Sequence, residues 1–411
     1  MSVGLRSRGS GIPRGAFRGS GALGAFGARR RSLLASAFAK KGYLRQMDWV
    51  LVLVTGGLAA LGTLLVWSAT EPALRAAGEN PHTYLKKQLL YVAIGAVVMF
   101  ALAAVDQRQF RLYAPVVYVM ALLAVLAVLT PLGDRVQGAT AWIKFPGFQV
   151  EPSEFAKLGL ILMTAMLLSE TRSWSRRPGL RDAGLAILAA APLIIGVERE
   201  PALGTTLVLT VVLAIMIAVS GILLRWVLGL AAVAAGTLYA VSALHLLKGY
   251  QLTRLTAFLH PSQDLAGAGY NGFEAKIAVG SGGMFGQGLF HGTFIGGNFV
   301  PAQQTDFIFT VAGEELGFVG CVVIICLLGI VIVRAIRIAA TADDQFGMLV
   351  ATGVAVWFAF QSFVNIGMTI GIMPITGLPL PFLSYGGSAI LADMIAIGLL
   401  QSIHRHRSVF D

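Results

Sequence analysis

The chain of 411 residues is 56% hydrophobic and only 12% charged, with a mean hydropathy of +0.76 and a formal net charge of +11. Soluble domains carry about 25% charged residues, so this composition excludes a soluble globular protein and indicates an all-α polytopic membrane protein. Its excess of Lys and Arg is interpreted through membrane orientation and gives no reason to expect a nucleic-acid partner. The partner that the composition itself predicts is the lipid bilayer.

The N-terminal segment, residues 1–47, differs in composition from everything that follows. It holds ten Lys and Arg and no acid, the first acid being Asp48, and Gly, Ser, Ala and Arg dominate it. Such a segment has little to pack, so we predict a disordered basic tail in the cytoplasm. The rest, 48–407, is predicted to be one transmembrane domain. Its first apolar run, 49–68, is too long for the core of a signal peptide and should remain as a helix.

Apolar runs of about 20 residues predict membrane helices. We predict ten spans: 49–68, 88–105, 112–132, 154–169, 183–197, 203–221, 226–247, 306–333, 346–371 and 382–403. An even number puts both termini on one side. Most Lys and Arg then fall in the segments on the side of the N-terminus, which predicts that both termini are cytoplasmic.

This orientation places three loops outside, over 133–153, 198–202 and 248–305. The loop 248–305, between the seventh and eighth helices, is too long for a bare connector. Within it, 270–280 predicts a short helix, and the Gly-rich run that follows predicts tight turns. The Glu-Arg-Glu sequence at 198–200 predicts a solvated turn with local ion pairing.

Asp306 stands at the mouth of the eighth predicted helix and is the only acid between Glu274 and Glu314. One interpretation is a helix N-terminal residue that the helix dipole favours. The other is a reactive group, because a carboxylate at a membrane helix is costly and usually functional. The residues alone leave both open.

A second polar group lies where the fourth helix is predicted to begin, at Pro152 and Ser153. Glu154 and Lys157 are three positions apart in the sequence (i, i+3) and therefore lie on one face of that helix. They form either a self-neutralising pair that lets the helix insert, or a charged wall of an aqueous cavity. In the second case Lys157 would meet a phosphate or Asp306.

Two further features carry open interpretations. Trp142 lies in an outer loop, where tryptophans at the membrane interface are ordinary. Glu314 and Glu315 lie deeper in the eighth helix, and membrane-buried acids are rare. We interpret them as structural anchors that pair with Arg334 or with another helix.

The segment 374–388 contains three prolines and therefore does not form a continuous helix. Its Gly386 and Gly387 permit close backbone approach. Irregular backbone at membrane depth must be buried or line a cavity. The segment is thus either a packed re-entrant turn or a cavity wall to which Ser384 and Ser388 contribute hydroxyls.

Three motifs, in this order, resemble the SEDS family over about 48–407. They are Pro-Ser-Glu at 152–154 with Lys157; Thr-Asp-Phe-Ile-Phe at 305–309 with Glu-Glu-Leu-Gly at 314–317; and Gly-Leu-Pro-Leu-Pro at 377–381 with Ser-Tyr-Gly-Gly-Ser at 384–388. Leu-Pro-Leu-Pro at 378–381 and the ending at 402–407 are similar to the elongation branch, RodA, rather than to the division branch, FtsW.

The resemblance implies a peptidoglycan glycosyltransferase that polymerises lipid II into nascent glycan strands during cell elongation. It also implies a class B penicillin-binding protein as the cross-linking partner within the elongation machinery. The family's essential aspartate aligns with Asp306, and its paired Glu and Lys align with Glu154 and Lys157. Asp306 would be the general base. Lys157, and Lys144 after it, would stabilise charge on the diphosphate leaving group.

Trp142, Ser384 and Ser388 complete the expected substrate-binding set. A divalent cation, Mg²⁺ or Mn²⁺, is a further way to stabilise a diphosphate, and the sequence leaves its ligands open. The chain departs from the family pattern at six positions where the family usually has other, polar residues: Ala141, Glu151, Ala202, Ala302, Gln303 and Gln304.

Two rival functions remain at this point: a transporter that flips lipid II without chemistry, and a non-catalytic scaffold. Transporters place polar sites near the membrane midplane, often within inverted repeats. Here the polar groups lie at predicted outer helix ends and no repeat is evident, which favours chemistry on the outer face. The intact acids and lysine of the motifs argue against a scaffold.

Overall fold

The computed structural model describes residues 43–136, 139–145, 148–170, 179–200, 202–223, 225–230, 268–297 and 299–407, with the single residues 232 and 258. The helices are α1 (Trp49–Ala76), α2 (Thr83–Ala104), α3 (Gln107–Val128), α4 (Pro152–Glu170), α5 (Leu180–Arg199), α6 (Leu203–Val219), α7 (Ala268–Ser281), α8 (Thr293–Gly296), α9 (Ile308–Ala340), α10 (Gln345–Ile370) and α11 (Gly387–Arg407). The strands are β1 (Gly133–Val136), β2 (Ala139–Phe145) and β3 (Phe148–Val150).

Eight of the described helices are long and apolar enough to cross a membrane: α1 to α5 and α9 to α11. With the shorter apolar helix α6, they correspond to nine of the ten predicted spans. The remaining span, 226–247, lies outside the described residues except for helical residues at 225–230. Helices α4 and α11 are the most enclosed, whereas α2 and α3 turn more apolar side chains outward, as expected of helices in contact with lipid. The predicted membrane-helical fold is confirmed.

Of the predicted tail, residues 1–42 lie outside the described part, and Tyr43–Gln46 form one 3-10 turn. The helical domain begins with Asp48, which caps α1 by accepting a hydrogen bond from the Leu51 N–H at 3.2 Å. Its carboxylate also pairs with Arg334 at 2.6 Å, and its backbone exchanges two 2.9 Å hydrogen bonds with the Gln401 side chain. Asp48 thus ties the start of α1 to α9 and α11.

The opposite end of the helices carries the irregular segments, and we call it the loop end: β1 to β3, α7, α8 and the turn over 371–386. An antiparallel sheet in the order β1-β2-β3 occupies the predicted loop 133–153, where we expected no strand. Asp134 faces Trp142 across β1 and β2, and Lys144 faces Gln149 across β2 and β3. The predicted short helix in the long outer loop is confirmed as α7.

Helix α9 corresponds to the predicted span 306–333, and it is broken at Gly317 (φ 68°, ψ −167°). The break frees the carbonyls of Glu314 and Glu315, which accept hydrogen bonds at 2.9 and 3.0 Å from two backbone N–H groups of the Gly-rich loop 282–288. The first two N–H groups beyond the break donate to carbonyls of the same loop at 2.9 and 3.1 Å. The loop therefore replaces the missing turn of the hydrogen-bond ladder, as a membrane helix requires.

The side chains of Glu314 and Glu315 anchor this loop further. Glu314 accepts a 2.7 Å hydrogen bond from the Phe294 N–H in the first turn of α8. Glu315 accepts from the Phe290 N–H at 3.0 Å and from the Ser68 hydroxyl of α1. Both acids are buried structural anchors, as expected, and their partners are another helix, α1, and the loop between residues 282 and 296, whereas Arg334 pairs with Asp48.

Candidate active site

Asp306 lies in the turn over 301–307, immediately before α9, and is half-buried. Its backbone carbonyl accepts a 2.7 Å hydrogen bond from the Asn365 amide of α10. The preceding carbonyl, of Thr305, accepts one at 2.6 Å from the Ser384 hydroxyl. The carboxylate approaches Gly377, whose φ of +75° requires glycine: a Cβ there would lie 3.5 Å from Asp306 Oδ2. Asp306 is therefore fixed by its backbone, with its carboxylate directed towards the 371–386 turn.

The 371–386 turn is packed, and its polar groups are satisfied internally. Ser384 accepts a 2.7 Å hydrogen bond from the Leu380 N–H, so its hydroxyl both donates and accepts within the protein. Phe382 adopts φ 65°, which is unfavourable for a residue with a side chain, and its N–H donates to Asp393 of α11 at 3.0 Å. These contacts favour the packed re-entrant turn over the cavity wall. Ser384 positions Thr305 and does not present a free hydroxyl.

Ser388 has a similar role one turn further on, at the start of α11. Its hydroxyl accepts a 2.9 Å hydrogen bond from the Glu151 N–H, and the Glu151 carboxylate accepts one at 2.9 Å from Ser153. These contacts bring the start of α4 against the start of α11 and hold Glu151 near Asp306.

Glu154 and Lys157 form an ion pair of 2.7 Å, as their spacing predicts. Both are enclosed, with Lys157 only 1% exposed, so the pair does not form a charged wall of an open aqueous cavity. Lys157 Nζ also donates to Gln361 Oε1 at 2.9 Å and lies 4.6 Å from the centre of the Trp357 ring. The structure thus favours the self-neutralising pair.

Glu151 is joined by a second acid that we expected to be solvated. Glu200 follows α5 and is fully buried, and neither of its carboxylate oxygens has a hydrogen-bond partner among the described residues. Burial and the neighbouring Glu151 raise the pKa of Glu200 to about 9. Burial, Glu154 and Asp306 likewise raise the pKa of Glu151. Both acids therefore favour the neutral form.

Lys144 and Trp142, also expected to bind substrate, lie on β2. Lys144 is exposed and its ammonium is 3.8 Å from Asp134 of β1, while Trp142 is half-buried in the same sheet. Helices α10 and α11 bring Asp306, Ser384 and Ser388 together with the Glu154–Lys157 pair. Lys144 and Trp142 remain on the sheet.

The fit to a divalent cation is poor. Within the described ranges, no group of three or more His, Cys, Asp or Glu side chains could hold a metal ion. These described residues therefore do not form a preformed metal centre.

Comparisons with known proteins identify the family. The profile described as "Cell cycle protein", which covers FtsW, RodA and SpoVE, matches residues 48–409. The chain is 38% identical over 369 residues to a probable peptidoglycan glycosyltransferase FtsW of Trichlorobacter lovleyi, covering 88% of this chain and 93% of that one. It is 33% identical to the peptidoglycan glycosyltransferase MrdB of Escherichia coli, covering 88% and 95%.

Comparison with solved structures supports the same family. A chain from a structure described as "Structural coordination of polymerization and crosslinking by a peptidoglycan synthase complex" superposes with a TM-score of 0.72 at 31% identity, covering 88% of this chain and 98% of that one. The rod shape determining protein RodA of Thermus thermophilus superposes with a TM-score of 0.64 at 28% identity, covering 88% and 97%.

The chain belongs to the SEDS family. The expected enzyme class, peptidoglycan glycosyltransferase, is confirmed at the level of the family, and the resemblance to RodA is supported. The relatives include FtsW and RodA proteins alike, so membership by itself does not assign a branch.

Sequence reasoning missed three buried polar residues of this SEDS protein that surround the motifs: Gln361, Asn365 and Asp393. A signal for them was present. Amides and acids within apolar spans are costly unless they are hydrogen-bonded, so each one marks a polar contact between helices.

Proposed function

We propose that the protein polymerises lipid II into glycan strands on the outer face of the cytoplasmic membrane, with Asp306 as the general base. The observation that carries this proposal is the half-buried carboxylate of Asp306, whose backbone is held by Asn365 and which is directed towards the 371–386 turn. A general base must lie within reach of the proton that it takes, and a fixed, partly accessible carboxylate suits that role.

In the proposed reaction, Asp306 takes the proton from the 4-hydroxyl of the acceptor GlcNAc. That oxygen attacks the anomeric carbon of the donor, the bond to the diphosphate oxygen breaks, and the configuration inverts. The polyprenyl diphosphate leaves with the electron pair. One positioned base contributes about 10²–10⁴-fold to the rate.

The positive charge of Lys157 supports the departure of the diphosphate from a distance. Its ammonium is held by Glu154 and Gln361, so a direct phosphate contact requires that this pair open. Lys144 and Trp142, on the outer sheet, are placed to meet substrate groups that extend away from the reacting atoms.

The expected setting follows the charge distribution of the sequence and the named relatives. Both termini lie in the cytoplasm, residues 48–407 form the catalytic membrane domain, and the loop end faces outward. A class B penicillin-binding protein is the expected partner, since the superposed complex is described as coordinating polymerization and crosslinking. The similarity of the 378–381 run to RodA favours elongation.

The test is polymerisation of lipid II by the purified protein, with Asp306→Ala as the variant. Glu79→Ala serves as a matched control because Glu79 is an exposed acid after α1, at the loop end. We expect the Asp306 variant to lose at least about 10²-fold in kcat while the control keeps its rate. A fully active Asp306→Ala protein would refute the assignment.

The rival function, lipid II flipping without chemistry, is tested on the same preparation in liposomes. Flipping that persists unchanged in a protein that forms no glycan would support the rival. Glycan formation that depends on Asp306 supports the transferase.

A further inference from the structure

Helix α10 carries two buried amides, Gln361 and Asn365, that none of the sequence motifs includes. They are 1% and 0% exposed and lie one helical turn apart, hence on one face of the helix. Burying an amide among apolar side chains costs free energy unless its groups are hydrogen-bonded. The hydrogen-bond partners of the two amides therefore indicate their role.

Asn365 uses both hydrogens of its amide nitrogen. One is donated to the backbone carbonyl of Asp306 at 2.7 Å and the other to the carbonyl of Leu378 at 2.6 Å. A single side chain thus joins the turn that carries Asp306 to the 371–386 turn that the carboxylate approaches.

Gln361 makes the corresponding connection for the lysine. Its amide nitrogen donates to the Pro379 carbonyl at 2.7 Å, one residue along from the carbonyl that Asn365 binds. Its amide oxygen accepts from Lys157 Nζ at 2.9 Å and from the Trp357 indole at 2.7 Å. Lys157, Gln361, Pro379 and Asn365 therefore form a continuous path to Asp306.

We propose that Gln361 and Asn365 are positioning residues that hold Asp306 and the Lys157 ammonium in fixed relative positions, because Asn365 bonds to the carbonyl of Leu378 and Gln361 to the adjacent carbonyl of Pro379. The proposal rests on the proposed function of Asp306. Neither amide touches the reacting atoms, and each acts through the group that it holds.

Substitutions of similar size separate positioning from bulk packing. Asn365→Leu removes both donors, and Asn365→Ser keeps a single shorter donor. A displacement of about 1 Å costs about 10²-fold in rate. We therefore expect kcat to fall about 10–100-fold in Asn365→Leu, with KM within about twofold, and to be partly restored in Asn365→Ser.

Gln361→Glu tests the second amide independently. It keeps an oxygen that accepts from Lys157 and Trp357 and loses the donor to Pro379, and it adds a carboxyl group whose charge the neighbouring Lys157 ammonium can offset. We expect a kcat about tenfold below that of the unmodified protein. Ser362→Ala is the matched control: Ser362 lies between the two amides, is 5% exposed, and its hydroxyl has no partner among the described residues.

The experiment measures kcat and KM for lipid II polymerisation, together with thermal melting, for these four variants and for Asp306→Ala. Loss of kcat ordered Leu > Ser at position 365, an unchanged Ser362→Ala protein and an inactive Asp306→Ala protein support the proposal. An inactive Asp306→Ala protein beside fully active Asn365→Leu and Gln361→Glu proteins overturns it while leaving the proposed function intact. An active Asp306→Ala protein instead refutes the proposed function. If the melting temperature of Asn365→Leu falls far below that of the unmodified protein, the kcat values of the folded Asn365→Ser and Gln361→Glu proteins decide the question. Unchanged kcat in both of these variants overturns the proposal.

Discussion

The docking of the Gly-rich loop on the break in α9 yields a sharp prediction for Gly286→Ala. Gly286 has a φ of +80°, and a Cβ on it would lie 2.1 Å from the carbonyl oxygen of Glu315. The obstacle is backbone, which cannot swing aside as a flexible side chain can. Across the contact, a Cβ on Gly317 would lie 2.2 Å from the Gly286 nitrogen, so neither segment has room to retreat locally. The substitution must therefore push the loop away from the helix.

The cost has two parts. A residue with a side chain held at positive φ costs about 1–3 kcal/mol. Displacement of the loop also breaks the four backbone hydrogen bonds that bridge the kink, at about 1 kcal/mol each. We expect a total loss of about 5–7 kcal/mol in the free energy of unfolding.

Gly283→Ala is the matched control, because Gly283 also has positive φ, +54°, but no atom lies within 4 Å of its Cβ position. It should lose only the strain of about 1–3 kcal/mol. Thermal melting in detergent compares the two variants, and hydrogen exchange at Phe318 and Val319 reports the kink itself. Equal melting temperatures for the two variants, with unchanged exchange at both amides, would refute the reasoning.

Two further predictions concern buried charges. Glu200 keeps its proton to about pH 9 when folded, against an ordinary value of 4.5, so its contribution to stability is complete below pH 4.5 and is lost as the pH rises through 9. Between these values it lowers the free energy of unfolding by about 1.4 kcal/mol per pH unit. Glu200→Gln should therefore melt with a weaker pH dependence between pH 6 and 9 than the unmodified protein, and identical pH profiles would contradict the assignment. Lys157→Met should cost about 3–5 kcal/mol because it leaves the Glu154 carboxylate buried without its counter-charge. Adding Glu154→Gln should recover part of that loss in melting temperature, and a further loss on adding it would show that the two charges are not coupled.

The membrane helices followed directly from the sequence, because a span of apolar residues has few alternatives to a helix in lipid. The three prolines likewise predicted the interruption seen at 371–386. The pairing of Glu154 with Lys157 is local, so their spacing in the sequence predicted it. Their complete burial could not be predicted in this way, because it depends on Gln361 and Trp357 of α10, which are distant in the chain.

The sheet was missed although a local signal existed. Strand β2 reads Ala-Thr-Ala-Trp-Ile-Lys-Phe and contains the aromatic and β-branched residues typical of strands. Its neighbours β1 and β3 are four and three residues long, too short to stand out from a loop. Glu200 was predicted to be solvated because its charged neighbours on the chain suggest a surface turn, whereas the fold buries it and brings Glu151 near it.

The break in α9 could not be predicted locally, and it changes how the site is held. Gly317 alone in an apolar helix predicts at most a weak point. The break requires the Gly-rich loop to supply the replacement hydrogen bonds. The helical segment that starts at Ile308 is therefore short, with the Gly286 contact at its end and Asn365 holding Asp306 before its beginning. Because both contacts bear on one rigid segment, the position of the carboxylate depends on the Gly-rich loop and on α10 together. This dependence is why residues far apart in the sequence, and outside the recognisable motifs, set the geometry of the proposed base.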